Sequence, residues 1–178
     1  MAAIRAGLRS RAWLGLFVLT LLPTQLQAQI KLNRVIYYET DGQRIYMEKC
    51  ASCHLPDGKG RGGGADDPDG IIDGFPPLTG MSEWLSMKQG QLYAAHAIIF
   101  GPYGEVLVGD SYYYGMMPRF APRLNNQQIV AVVRFIAEKL NKPAPGYKPI
   151  TEAIVQQARK LPDRMEELAI EREALPPR

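Results

Sequence analysis

Cysteine is scarce in this sequence: Cys50 and Cys53 are the only two among 178 residues. Lying so close together, they cannot staple distant parts of a fold, and a disulfide between them would be a redox motif instead. Histidine is equally scarce, with only His54 and His96. A zinc site on the cysteines and His54 would therefore have only His96 as a histidine for its fourth position. Long apolar runs are missing too. The best, Ala12 to Leu22, is shorter than the roughly 17 residues a membrane span needs. Nor is there an excess of one charge: 21 Lys and Arg stand against 18 Asp and Glu, and Arg5, Arg9 and Arg11 supply the whole surplus. A chain so balanced has no basic field to attract nucleic acid.

What is present begins with an export signal. Three arginines precede the short apolar run, Pro23 stops it, and Gln25-Leu26-Gln27-Ala28 offers a small residue for cleavage after Ala28. The expected organisation is a signal peptide over 1–28, a globular domain over 29–140, and a linker with a C-terminal extension over 141–178. With no cysteine near the cleavage point, lipid attachment there is excluded, and the mature chain is expected to be peripheral to a membrane at most.

The 17 Gly and 14 Pro predict many turns and little sheet. Asp41 caps a helix through Ile45, Tyr46 and Met47 that runs into Cys50. Leu55 to Gly80 lacks periodicity and reads as loop. A short helix over Ser82–Met87 and a longer one over Gln91–Phe100 follow, the latter ended by Gly101-Pro102. Val106, Leu107 and Val108 before Gly109-Asp110 predict a small hairpin within Tyr103–Tyr113. Asn125 or Asn126 caps a helix from about Gln127 to Leu140, with Ile129, Val132, Val133, Ile136 and Leu140 as its apolar stripe.

The chemistry lies in Cys50-Ala51-Ser52-Cys53-His54. One helical turn presents both thiols to the edge of a haem, where they add across the vinyl groups. His54 then reaches the iron from the same face. A thioredoxin-like reading would need a strand before the motif and a continuing helix after it. Here a helix precedes it, and Leu55-Pro56-Asp57-Gly58 breaks the chain. For the second axial position, Gly115-Met116-Met117-Pro118 offers a thioether in a loop, a soft ligand that raises the reduction potential. Met117 is the favoured member, against the plainer role of methionine as core filler.

The segments DGQRIYMEKCASCH, DGKG, FPPLTG, GMMPRF and NNQQIVAVVRFI together resemble class I cytochrome c over about Asp41 to Leu140. FPPLTGMSEW and GPYGEV…YYYGMMP are similar to small single-haem domains serving periplasmic oxidoreductases. The resemblance implies an all-α fold around one covalent haem c, with a small hairpin before the methionine loop and a helical C-terminal extension. It carries the haem-binding cysteines to Cys50 and Cys53, the iron ligands to His54 and Met117, and a helix crossing to Gly42 and Tyr46 against Ala131 and Phe135. The implied function is periplasmic one-electron transfer rather than catalysis, with no catalytic residue. The partners would be a redox donor and acceptor, a dehydrogenase or respiratory complex among them, and the chain either a shuttle or a cytochrome subunit. An open sixth position would instead make a haem enzyme or a small-molecule sensor.

Other residues carry plainer expectations. Asp66, Asp67, Asp69 and Asp73 read as a solvated insertion rather than a calcium site. His96, on an apolar helical face, reads as a packed, hydrogen-bonded histidine rather than an iron ligand. At least two of Tyr112, Tyr113 and Tyr114 are expected to wall the haem pocket, and so is Trp84, with propionate hydrogen bonding as their second role. The tail from Thr151 to Arg178 lies beyond the family pattern. It reads as a docking or wrapping segment outside the haem core, with Asp163 and Glu166 capping a last helix that carries Met165, Leu168 and Ala169 on its apolar side.

Overall fold

Helix α1 spans Gly42–Lys49 and starts where Asp41 accepts a hydrogen bond from the Arg44 backbone N–H at 3.0 Å. After Cys50, a single helical turn, α2, covers Ala51–His54. Leu55 then leaves the helix at φ 62°, a conformation costly for a branched side chain, and its carbonyl accepts from the buried Tyr46 hydroxyl at 2.7 Å. The computed structural model describes residues 27–29, 41–62 and 74–178. Residues 30–40, the four aspartates of the loop and nearly all of the signal segment lie outside the described residues.

Helices α3 (Ser82–Ser86) and α4 (Lys88–Phe100) follow the loop, and Gly101 ends α4 in the left-handed conformation before Pro102. Strands β1 (Tyr103–Val108) and β2 (Ser111–Met116) pair antiparallel around Gly109-Asp110, with Val106 opposite Tyr113 and Gly104 opposite Gly115. Helix α5 (Asn126–Phe135) opens on a capping box between Asn125 and Gln128, and its end widens into a π turn over Ile136–Leu140. The tail supplies α6 (Glu152–Ala158) and α7 (Met165–Glu173). Among the described residues no helix is long and apolar enough to cross a membrane.

Among the described residues the fold is all-α apart from the hairpin and one isolated bridge between Arg61 and Phe75. Its core joins Tyr46 of α1 to Ile129, Val132 and Val133 of α5, then continues through Leu85, Ala95 and Ile99 to Val155 and Ala158 of α6. The crossing of α1 on α5 is close: a Cβ on Gly42 would stand 2.0 Å from the Ala131 carbonyl oxygen, and the Tyr46 and Phe135 rings lie 5.2 Å apart. The resemblance implied this crossing from the same four residues.

The segment 141–150 is a packed strap more than a linker. Asn141 accepts from the Met81 N–H at 2.8 Å and donates to the Leu78 and Ile136 carbonyls. Gln91, buried in α4, donates to the Lys148 carbonyl at 2.7 Å, and Ile150 is buried. The tail closes onto the same unit as the helices before it, through Val155, Ala158, Leu168 and Leu175.

Candidate haem-binding site

Between the hairpin, α3, α4 and the motif turn lies a cavity of about 290 Å³, lined mostly by apolar side chains. One water occupies roughly 30 Å³ of liquid, so this cavity is too large for a packing defect and is the candidate ligand site. Cys50, Cys53 and His54 form part of its wall, and Met116, Met117 and Pro118 another part.

Backbone bonds from Cys53 N (3.1 Å) and His54 N (2.9 Å) to the Cys50 carbonyl wind the motif into one turn. Both cysteines are free and half-buried, and burial, with Cys53 adjacent, pushes the Cys50 thiol up to about 12. The buried His54 ring has its Nδ1 bonded to the Pro76 carbonyl at 2.9 Å, which leaves Nε2 as the nitrogen for a metal. Burial lowers the His54 pKa, and the Pro76 bond partly opposes it. The ring is thereby held neutral, as a metal-binding imidazole must be.

Pro76 reaches His54 because the loop folds back on itself. Gly60 donates to the His54 carbonyl at 3.0 Å, Arg61 and Phe75 bond each other as an isolated bridge, and Leu78 donates to the Gly58 carbonyl at 2.7 Å. Gly60 sits at φ 74°, and a Cβ there would stand 2.2 Å from the Phe75 oxygen. Only glycine meets both demands.

Across the cavity, the backbone of Met117 donates to the Pro102 carbonyl at 2.8 Å, so the turn that ends α4 also fixes the methionine loop. Met117 is half-buried against the core, whereas Met116 ends β2 with 73 % of its surface exposed. Met117 and the C-x-x-C-H residues thus share one cavity, and His96 is not on its wall. His96 is fully buried, with Nδ1 bonded to the Glu171 carboxylate at 3.1 Å.

Four expectations need correction. Only Tyr113 of the three tyrosines is buried and lines the cavity; Tyr112 and Tyr114 point the other way, because side chains alternate along a strand. Trp84 is a wall residue, but its indole N–H donates to the Pro176 carbonyl at 2.7 Å, which removes it as a propionate donor. The tail does not stand outside the haem core: Met165, Leu168, Ala169, Arg172 and Arg178 all line the cavity. Asp163 does not cap α7 either. It pairs with Arg119, while Arg164 precedes the helix without a side-chain cap.

Sequence reasoning missed Pro76 as the orienting group of His54, and missed Arg172 and Arg178 altogether. A signal for Arg172 existed, since positions 165, 168, 169 and 172 fall on one helical face.

Two free thiols, a neutral imidazole and a thioether loop on one apolar cavity fit a haem held through thioethers, which is the site of a c-type cytochrome. Residues 39–139 match the family model of cytochrome c, and the chain belongs to that family. Its cofactor is covalent haem c, and its work is haem-based electron transfer. No curated protein matches the chain.

Proposed function

We propose that this chain transfers single electrons in the periplasm through one haem bonded at Cys50 and Cys53 and ligated by His54 and Met117. When bound, the haem supplies an iron that changes charge by one unit. His54 is held in one orientation by the Pro76 carbonyl, so it would hold the iron without reorganising between the two charge states. Met117, on a loop tied to the Pro102 carbonyl, would hold the iron together with His54, so that peroxide or substrate would find no open position on it. Buried Tyr113, Leu85 and Ile98 keep water from the iron's surroundings. The observation that carries this reading is the shared cavity, with an oriented imidazole on one wall and a half-buried thioether on another.

The partner is a redox protein, and the chain its cytochrome subunit. Support comes from the hairpin: Leu107, Tyr112 and Tyr114 are exposed on one face, Tyr103 and Met116 are exposed where they border the cavity, and Val106 and Tyr113 of the other face line it. A cluster of large apolar side chains in water marks a protein contact. Two experiments test the proposal. Haem that extracts into acid-organic solvent, or a mass equal to the polypeptide alone, refutes covalent attachment. Purification from the native periplasm and membrane is expected to bring a second redox protein in fixed ratio; recovery as a lone monomer indicates a shuttle.

A further inference from the structure

Arg172 and Arg178 come from the tail, beyond the matched family segment, yet both lie on the cavity wall. Their guanidinium groups stack on Trp84, at 5.4 Å and 5.2 Å from the ring centre. Arg172 donates to the Tyr93 hydroxyl at 3.3 Å and to the Leu107 carbonyl, and Arg178 donates to the Pro77 carbonyl. These partners are neutral. Among the described residues the ion pairs lie elsewhere, and no carboxylate pairs with either arginine.

Two like charges on one tryptophan, facing a mostly apolar cavity, are an arrangement that folding alone does not favour. Its cost is visible at Arg178, whose pKa burial and the neighbouring Arg172 push down to about 10. The backbone nevertheless enforces the placement: Trp84 holds the Pro176 carbonyl, and the Gly109 N–H donates to the main-chain oxygen of Arg178 at 2.7 Å. An anion in the cavity would relieve both costs, and the haem carries two carboxylates. Guanidinium matches carboxylate in a two-pronged geometry that Lys cannot reproduce.

We propose that Arg172 and Arg178 form a carboxylate-binding site for the haem propionates, so that the tail completes the cofactor pocket and raises the reduction potential. The inference rests on the haem-site reading above. Reduction adds a negative charge to the haem, and fixed positive neighbours favour it. The remaining ionisable side chains on the cavity wall are Lys49, Cys50, Cys53, His54, Tyr93, Tyr103, Tyr113 and Glu105. Glu105 is the one other carboxylate among them, and it is exposed on β1.

The test uses holoprotein carrying haem isotope-labelled at its propionate carboxyls, which separates their infrared bands from that of Glu105. Wild-type protein is expected to show ionised propionates throughout about pH 5 to 8, because paired carboxylates stay charged below their ordinary range. Arg172→Gln and Arg178→Gln should each shift the ratio of reduced to oxidised protein about tenfold towards the oxidised form, about 59 mV for one electron. A protonated labelled carboxyl should appear towards the acid end. Arg178→Lys, which keeps the charge, should restore most of the potential. If the arginines merely pin Pro77 and Leu107, the Gln and Lys variants will alter melting but leave potential and carboxyl bands at wild-type values; that outcome overturns the proposal. Should the Gln variants fail to assemble, a protonated labelled propionate in wild type between about pH 5 and 8 overturns it alone. Absence of covalent haem in wild type refutes the haem-site reading, and this proposal with it.

Discussion

Replacing Gly42 with alanine tests the helix crossing on which the pocket is built. A Cβ at this position would lie 2.0 Å from the Ala131 carbonyl oxygen and 2.9 Å from Phe135 Cβ. The obstacle is backbone, so no rotamer change can clear it, and α1 must move away from α5 by about 1.5 Å to reach ordinary contact. That displacement loosens Tyr46, Ile129, Val132 and Val133, all of them buried. Overpacking of this kind costs about 1–3 kcal/mol, and a backbone obstacle belongs at the upper end. Alanine recovers up to about 1 kcal/mol of helix propensity, less at the first helical residue. The expected net loss is about 2 kcal/mol, or roughly 4–8 °C in melting temperature for a domain of this size. The measurement is denaturant and thermal unfolding of holoprotein, followed by circular dichroism and haem absorbance, with exposed Gln43→Ala as the control expected within about 0.5 kcal/mol of wild type. A Gly42→Ala protein as stable as wild type, or more so, refutes the close crossing.

Other perturbations address the site and the tail. In reduced protein, the ring-shifted thioether methyl resonance should vanish in Met117→Leu and persist in Met116→Leu; the reverse pattern reassigns the ligand, and persistence in both opens the sixth position to another group. Glu171→Ala should cost about 1–3 kcal/mol by denaturant unfolding, because it strips the buried His96 Nδ1 of its partner. A loss under about 0.5 kcal/mol would mean that the pair does not hold α7 down. Truncation after Lys142 removes Ile150, Val155, Ala158, Leu168 and Leu175 from the core, so both melting temperature and haem spectrum should change. A truncated protein with native spectrum and melting would return the tail to a peripheral role.

The parts of this fold that the sequence disclosed are those where one local rule decides. Asp41 and Asn125 cap their helices because a short polar side chain before an apolar-periodic run satisfies the first free N–H groups. Gly109-Asp110 between apolar segments closes a two-residue hairpin, and the C-x-x-C-H turn needs only helical geometry. The orientation of His54 could not be read in this way. It depends on Pro76, 22 residues away, brought back by a loop closure that leaves no periodic trace. The tyrosine triplet misled for a related reason: three identical side chains in a row look equivalent, and only the strand's period of two separates Tyr113 from its neighbours.

The tail shows a deeper limit. Met165, Leu168, Ala169 and Arg172 form a helical face that any packed helix would display, and nothing local says which surface it meets. Asp163 looked like a cap because capping is a local rule, but Arg119, 44 residues earlier, takes its carboxylate first. What decides the outcome is the sum of distant contacts: His96 under Glu171, Trp84 under Pro176, and the hairpin turn on the main-chain oxygen of Arg178. Each of the three ties α7 or its continuation to an element that also walls the cavity. The matched family segment ends at residue 139, whereas the wall of the cavity extends to Arg178. The cavity proposed to hold the haem therefore extends beyond the segment that the family pattern describes, and a variant in the last fourteen residues, Met165 to Arg178, is expected to act on it as directly as one in α4.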